Sequence, residues 1–116
     1  MGLDIQVYPD QACWVLKLDG ELGYGESMSF RLSLDRLLRD SPRAAIVDLA
    51  DLSFLDSSGL GLLLSLSREC TERGTRLALI TGRAVDSVLS LTRLTDAFFC
   101  ASSLDEAYEH IGGPGR

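Results

Sequence analysis

The chain has 116 residues, 46% of them hydrophobic and 24% charged, with a formal net charge of −6. That length and balance suit one globular domain with its own core and exclude a disordered chain. One lysine, Lys17, and arginines scattered along an acidic chain exclude a phosphate-binding stripe, so neither nucleic acid nor anionic lipid is an expected partner.

Residues 1–11 (MGLDIQVYPDQ) carry no basic stretch ahead of an apolar core, so no secretory leader is expected. Residues 3–8 (LDIQVY) alternate apolar and polar and predict a strand. Pro9-Asp10 reads as a turn. Residues 12–20 (ACWVLKLDG) alternate again, with Cys13, Val15 and Lys17 on one face and Trp14, Leu16 and Leu18 on the other. The short link between the two predicts an antiparallel hairpin. Residues 20–26 (GELGYGE) hold three glycines and predict a loop. The next stretch, ESMSFRLSLDRLLRD, has helical period, with Phe30, Leu34, Leu37 and Leu38 on one face. Ser41-Pro42 ends it. Residues 44–50 (AAIVDLA) predict a buried strand parallel to its neighbour. A helix is expected from about Ser58 to Glu72, with Gly74 as its C-terminal cap. Residues 76–81 (RLALIT) predict a strand that Gly82 breaks. Residues 84–94 predict a helix with Val85, Val88 and Leu89 inward, and residues 97–101 (AFFCA) a last strand. SSLDEAYEHIG predicts a closing helix capped by Ser102 or Ser103, with Asp105 and Glu106 at its positive end. The domain is expected over residues 1–111, followed by a flexible tail at 112–116.

The order β-β-α-β-α-β-α-β-α predicts an α/β fold: a mixed sheet with an N-terminal β-hairpin, largely parallel beyond the first strand. Functional groups in such sheets gather where strand C-terminal ends lead into helices. FLDSSGLGLLLSL, residues 54–66, stands at such an end.

Enzyme and metal chemistries find no support. Cys13, Cys70 and Cys100 lie far apart with no Cys-x-x-Cys pair, which argues against zinc and predicts buried, reduced thiols in a cytosolic protein. His110 is the one histidine, and nothing in the sequence places it beside Ser57 as a base. Gly59 and Gly61 begin a Gly-x-Gly-x-x-Gly, but Leu64 stands where the third glycine belongs. Asp48, Asp51 and Asp56 could hold Mg²⁺, as in a response-regulator receiver domain. A receiver also needs an early acidic pair and a lysine after a late strand; here Thr81, Gly82 and Arg83 follow, and the lysine is in the second strand. Turn and cap chemistry accounts for Asp51 and Asp56. No cofactor is expected.

Asp56 or Ser57 can cap the helix that follows, through a side-chain oxygen on an orphan N–H. On a helical wheel Leu60, Leu63, Leu64, Leu66 and Cys70 share an apolar arc, and Ser58, Gly61, Ser65, Arg68 and Glu72 lie opposite. The small side chains of Ser58, Gly61 and Ser65 leave a low surface, either a plain solvated face or one that a partner's backbone can approach. Leu62 sits at the margin. The helix start favours an anion, so a phosphate on Ser57 would be tolerated there and would add about −1.5 to −2 charge units.

Residues 47–66 (VDLADLSFLDSSGLGLLLSL) resemble the STAS domains of bacterial anti-sigma factor antagonists, in which a strand leads to Asp-Ser-Ser/Thr-Gly-Leu-Gly and a helix. LDGEL, residues 18–22, resembles the family's Gly-Glu-Leu loop, and RLALIT and LTRLTDAFF follow in the family's order. The resemblance implies a cytoplasmic protein that binds an anti-sigma factor, which is also a serine kinase, and so frees a sigma factor. The kinase phosphorylates the serine after the aspartate, the complex separates, and a phosphatase reverses the change. Carried over by position, the phosphoacceptor is Ser57. Asp56, Ser58, Gly59, Leu60, Gly61, Leu62 and Ser65, with Glu21 and Gly23, form the partner-binding surface. Where typical members read Gly-Glu-Leu-Asp, this chain has Gly23. That departure leaves a second reading: a STAS-fold interaction subunit, in a signalling or lipid-transport complex, without a serine switch.

Overall fold

The structure, a computed structural model, describes residues 2–10 and 13–111. Its strands are β1 (Leu3–Asp10), β2 (Cys13–Leu22), β3 (Ala44–Leu55), β4 (Arg76–Ile80) and β5 (Cys100–Ala101). Its helices are α1 (Ser27–Leu38), α2 (Ser57–Arg73), α3 (Arg83–Leu91) and α4 (Leu104–Ile111), with 3-10 turns at Tyr24–Glu26 and Thr95–Ala97. The sheet runs β1-β2-β3-β4-β5, antiparallel between β1 and β2 and parallel thereafter. The expected hairpin and mixed sheet are present in the expected order.

Alternation along β2 feeds two cores. Leu16 and Leu18 join the larger one, with Phe30, Leu34 and Leu37 of α1, Leu63 and Leu66 of α2, and Val85 and Leu89 of α3. Cys13 and Val15 join the smaller, with Ile46, Ala78 and Ile80 beneath Ala107 and Ile111 of α4. Three crossovers stepping the same way across the sheet, all right-handed, must set their helices on one face. Among the described residues the other face carries only α4. Beyond its cover that face turns polar, with Gln6 beside Lys17 and Lys17 beside Asp48. Lys17 also meets Asp51 at 3.4 Å, a half-exposed pair of little weight for stability.

Several boundaries differ from the sequence reading. Pro9 and Asp10 are not a turn but the end of β1, paired with Trp14 and Cys13. The glycine-rich stretch is no simple loop: β2 continues to Leu22 and a 3-10 turn follows. β3 does not close at Ala50 but continues to Leu55, and α2 starts at Ser57. The helix expected over 84–94 is Arg83–Leu91, and the strand expected over 97–101 shrinks to Cys100–Ala101. Leu64 leaves the apolar arc, being 37% exposed. Cys13 and Cys70 are buried as expected, while Cys100 is only half-buried. The tail at 112–116 lies outside the described residues.

Candidate functional site

The site forms where β2 and β3 end side by side. Their register shifts twice, between Lys17 and Asp19 and again between Gly20 and Glu21, so β3 carries extra residues. Such bulges bend and twist the paired strands. Asp48 Oδ1 accepts from the Ala50 N–H at 3.1 Å, and Ser53 Oγ donates to the Gly20 carbonyl at 2.9 Å. Leu22 thereby arrives opposite Leu55, and the two chain segments leave the sheet together.

Asp56 joins them. Its backbone is extended, and its Oδ1 accepts from the Ser58 N–H at 2.9 Å and the Gly59 N–H at 3.1 Å. Its Oδ2 accepts from the Tyr24 N–H at 3.1 Å, and its own N–H donates to the Leu22 carbonyl at 3.3 Å. One carboxylate therefore caps α2 and holds the turn after β2 against it. Glu26 completes that turn by accepting from the Gly23 N–H at 3.1 Å.

Ser57, the first residue of α2, is exposed. With the cap supplied by Asp56, the Ser57 hydroxyl makes no hydrogen bond among the described residues. Gly59 is buried, and a Cβ there would lie 2.6 Å from Leu55 Cδ1 and 2.7 Å from the Leu22 carbonyl oxygen. Only glycine lets α2 settle this closely on the strand ends. Gly61 faces open space. Gly23 is buried, and a Cβ there would lie 3.1 Å from Asp56 Oδ2 and 3.3 Å from the Phe54 ring. A carboxylate side chain at this position would begin in contact with that of Asp56.

The structure thus brings Gly23, Asp56, Ser57, Ser58 and Gly59 together. Ser58, Leu62 and Ser65 are half-buried on α2, Gly61 is exposed, and Glu21 is half-buried at the end of β2. Leu60, like Gly59, is buried, so both shape the surface from beneath it. Sequence reasoning missed Tyr24, 80% exposed and tied to Asp56 through its backbone, together with exposed Met28, Leu32 and Phe54. The signal was available: Tyr24, Met28 and Leu32 recur every fourth residue, on the side away from Phe30 and Leu34.

The other polar residues lie elsewhere. His110, exposed as expected, stacks on Phe99 with ring centroids 3.6 Å apart. Both line a cleft of about 350 Å³ with Cys70, Thr71 and Arg76, at the C-terminal end of α2. Burial pushes the Cys70 thiol up to about 11, helped by the charge of Glu69, so it stays protonated and a poor nucleophile. Burial and then Asp86 raise Cys100 also. Among the described residues no group of His, Cys, Asp and Glu could hold a metal ion, and no helix is long and apolar enough to cross a membrane.

Fold and site together define an α/β module of the kind found in anti-sigma factor antagonists. The STAS domain model matches residues 4–107, and the chain belongs to that family. It is 29% identical over 79 residues to the anti-sigma F factor antagonist of Paenibacillus polymyxa, covering 67% of this chain and 68% of the relative. An anti-sigma factor antagonist from Mycobacterium paratuberculosis superposes with a TM-score of 0.89 at 22% identity, over 96% of this chain and 95% of that one. The antagonist SpoIIAA in its unphosphorylated form gives 0.77 at 25% identity, over 94% and 96%. The Bacillus cell fate determinant SpoIIAA in its phosphorylated form gives 0.71 at 24% identity, over 93% and 99%.

Proposed function

We propose that this chain is an anti-sigma factor antagonist, with residues 1–111 as one domain, that docks a kinase-type anti-sigma factor in the cytoplasm. Its switch is phosphorylation of Ser57. The observation that carries this reading is the free, exposed hydroxyl of Ser57 beside a cap that another residue supplies. Ser57 Oγ attacks the γ-phosphorus of ATP held by the partner, ADP leaves, and the hydroxyl proton passes to a base on the kinase. The fold survives, because nothing in it depends on that hydroxyl and the helix start tolerates an anion. The docking surface gains roughly −1.5 to −2 charge units beside Ser58, Gly61 and Ser65, and the partner is displaced. A phosphatase restores the unmodified state.

Gly23 favours a second reading, a STAS interaction subunit that docks without a switch, since the acid typical of the family's loop is missing beside Ser57. Intact mass after incubation with ATP and kinase-type anti-sigma factors from the same cell separates the two. One added phosphate, lost in Ser57→Ala, supports the switch. A stable complex that never gains phosphate supports the second reading. Ser57→Asp should lower partner affinity and Ser57→Ala should bind constitutively; equal binding by both refutes the switch.

A further inference from the structure

β1 is an edge of the sheet, and β2 engages only half of its backbone. The Glu21 N–H donates to the Gly2 carbonyl at 3.1 Å. In the β1–β2 register this makes Gly2, Asp4, Gln6 and Tyr8 the residues whose backbone groups face β2. The N–H and C=O of Leu3, Ile5 and Val7 therefore point outward into the open edge. Their side chains pack against the larger core yet are only half-buried, because no strand of the described residues lies beyond them.

We propose that this edge pairs antiparallel with β1 of a second copy of this chain, about a twofold axis at Ile5. The residues themselves select that register. An axis at Gln6 would need an N–H from Pro9, which has none. An axis at Asp4 would set two Asp4 carboxylates directly opposite each other. An axis at Ile5 uses every outward N–H and C=O of Leu3, Ile5 and Val7 and leaves Pro9 outside the ladder. It pairs Ile5 with Ile5 and Leu3 with Val7 of the second copy, covering apolar surface that is half-exposed in one chain. On the polar face it sets Asp4 opposite Gln6 of the second copy, with no like charges in contact. The resulting sheet is continuous through both copies.

Sedimentation equilibrium over a concentration series tests this, with two variants. Gln6→Asp places carboxylates opposite Asp4 of the second copy at two symmetric positions. Within its own chain the new carboxylate faces Lys17, so the fold gains an attraction. The dimer dissociation constant should rise about tenfold while the thermal midpoint holds. Adding Asp4→Lys to Gln6→Asp should restore dimerisation through paired opposite charges. Amide exchange at Leu3, Ile5 and Val7 should slow as wild-type concentration rises. A wild-type protein that stays monomeric at its highest soluble concentration overturns the proposal. So does a dimer that Gln6→Asp leaves unchanged, or one in which the three amides gain no protection.

Discussion

The two ends of α2 are built in opposite ways. At the C-terminal end Gly74, Thr75 and Arg73 are all tied into backbone bonds. Gly74 takes the left-handed conformation (φ 73°), and its N–H donates to the Cys70 and Thr71 carbonyls. The Thr75 N–H donates to the Cys70 carbonyl at 2.8 Å, and its buried hydroxyl donates to the Pro42 carbonyl at 2.7 Å. Arg73 reaches the Leu38 carbonyl at 3.0 Å. At the N-terminal end one carboxylate, that of Asp56, satisfies three N–H groups, and the serine after it is left with nothing to do. A residue freed from structural duty at a rigid position is one that a partner can read or modify without cost to the fold.

That contrast can be tested by denaturation. Gly59→Ala should cost most, about 2–3 kcal/mol, because the added methyl meets Leu55 and the Leu22 backbone and cannot be relieved by side-chain motion alone. Asp56→Ala removes the cap and the tie to Tyr24, and urea titration should show a loss of about 2 kcal/mol. Thr75→Val at the closed end should cost about 1 kcal/mol, since the Pro42 carbonyl loses its buried donor. Gly61→Ala should stabilise by up to about 1 kcal/mol, because the position is open and alanine is the better helix former. The same substitution should weaken partner binding if the low surface of α2 is the docking face. A loss for Gly59→Ala no larger than that for Thr75→Val would erase the difference between the ends.

The features legible in the sequence were local ones. The apolar face of α1, a cap at Asp56 or Ser57, which the structure assigns to Asp56, and the C-terminal cap at Gly74 depend on spacing and cap chemistry within a few residues. The extent of β3 was not legible. Asp51 and Ser53 break its apolar run, yet the strand continues because β2 supplies a partner and the bulges absorb the mismatch. Pro9 misled for a related reason: its missing N–H faces the open edge, where no ladder bond is lost. The wheel places Leu64 inward, yet it is 37% exposed, because a 3.6-residue period fixes direction and not which directions are covered. The closeness of Gly23 to Asp56 is invisible in the sequence because the two follow the ends of β2 and β3, which only the register brings side by side.

The spatial order of the strands repeats their order in the chain. Each strand can therefore dock on one already in place, so the sheet can lengthen step by step while the polypeptide is still being synthesised. Only the smaller core must wait. Its cover, α4, comes last, and the bond that ties its end back, from Arg43 to the Ile111 carbonyl at 3.1 Å, spans 68 positions. Until then Val15, Ile46 and Ala78 stand bare, and a chain stalled or cut before Leu104 would be expected to stick to chaperones or to its own kind.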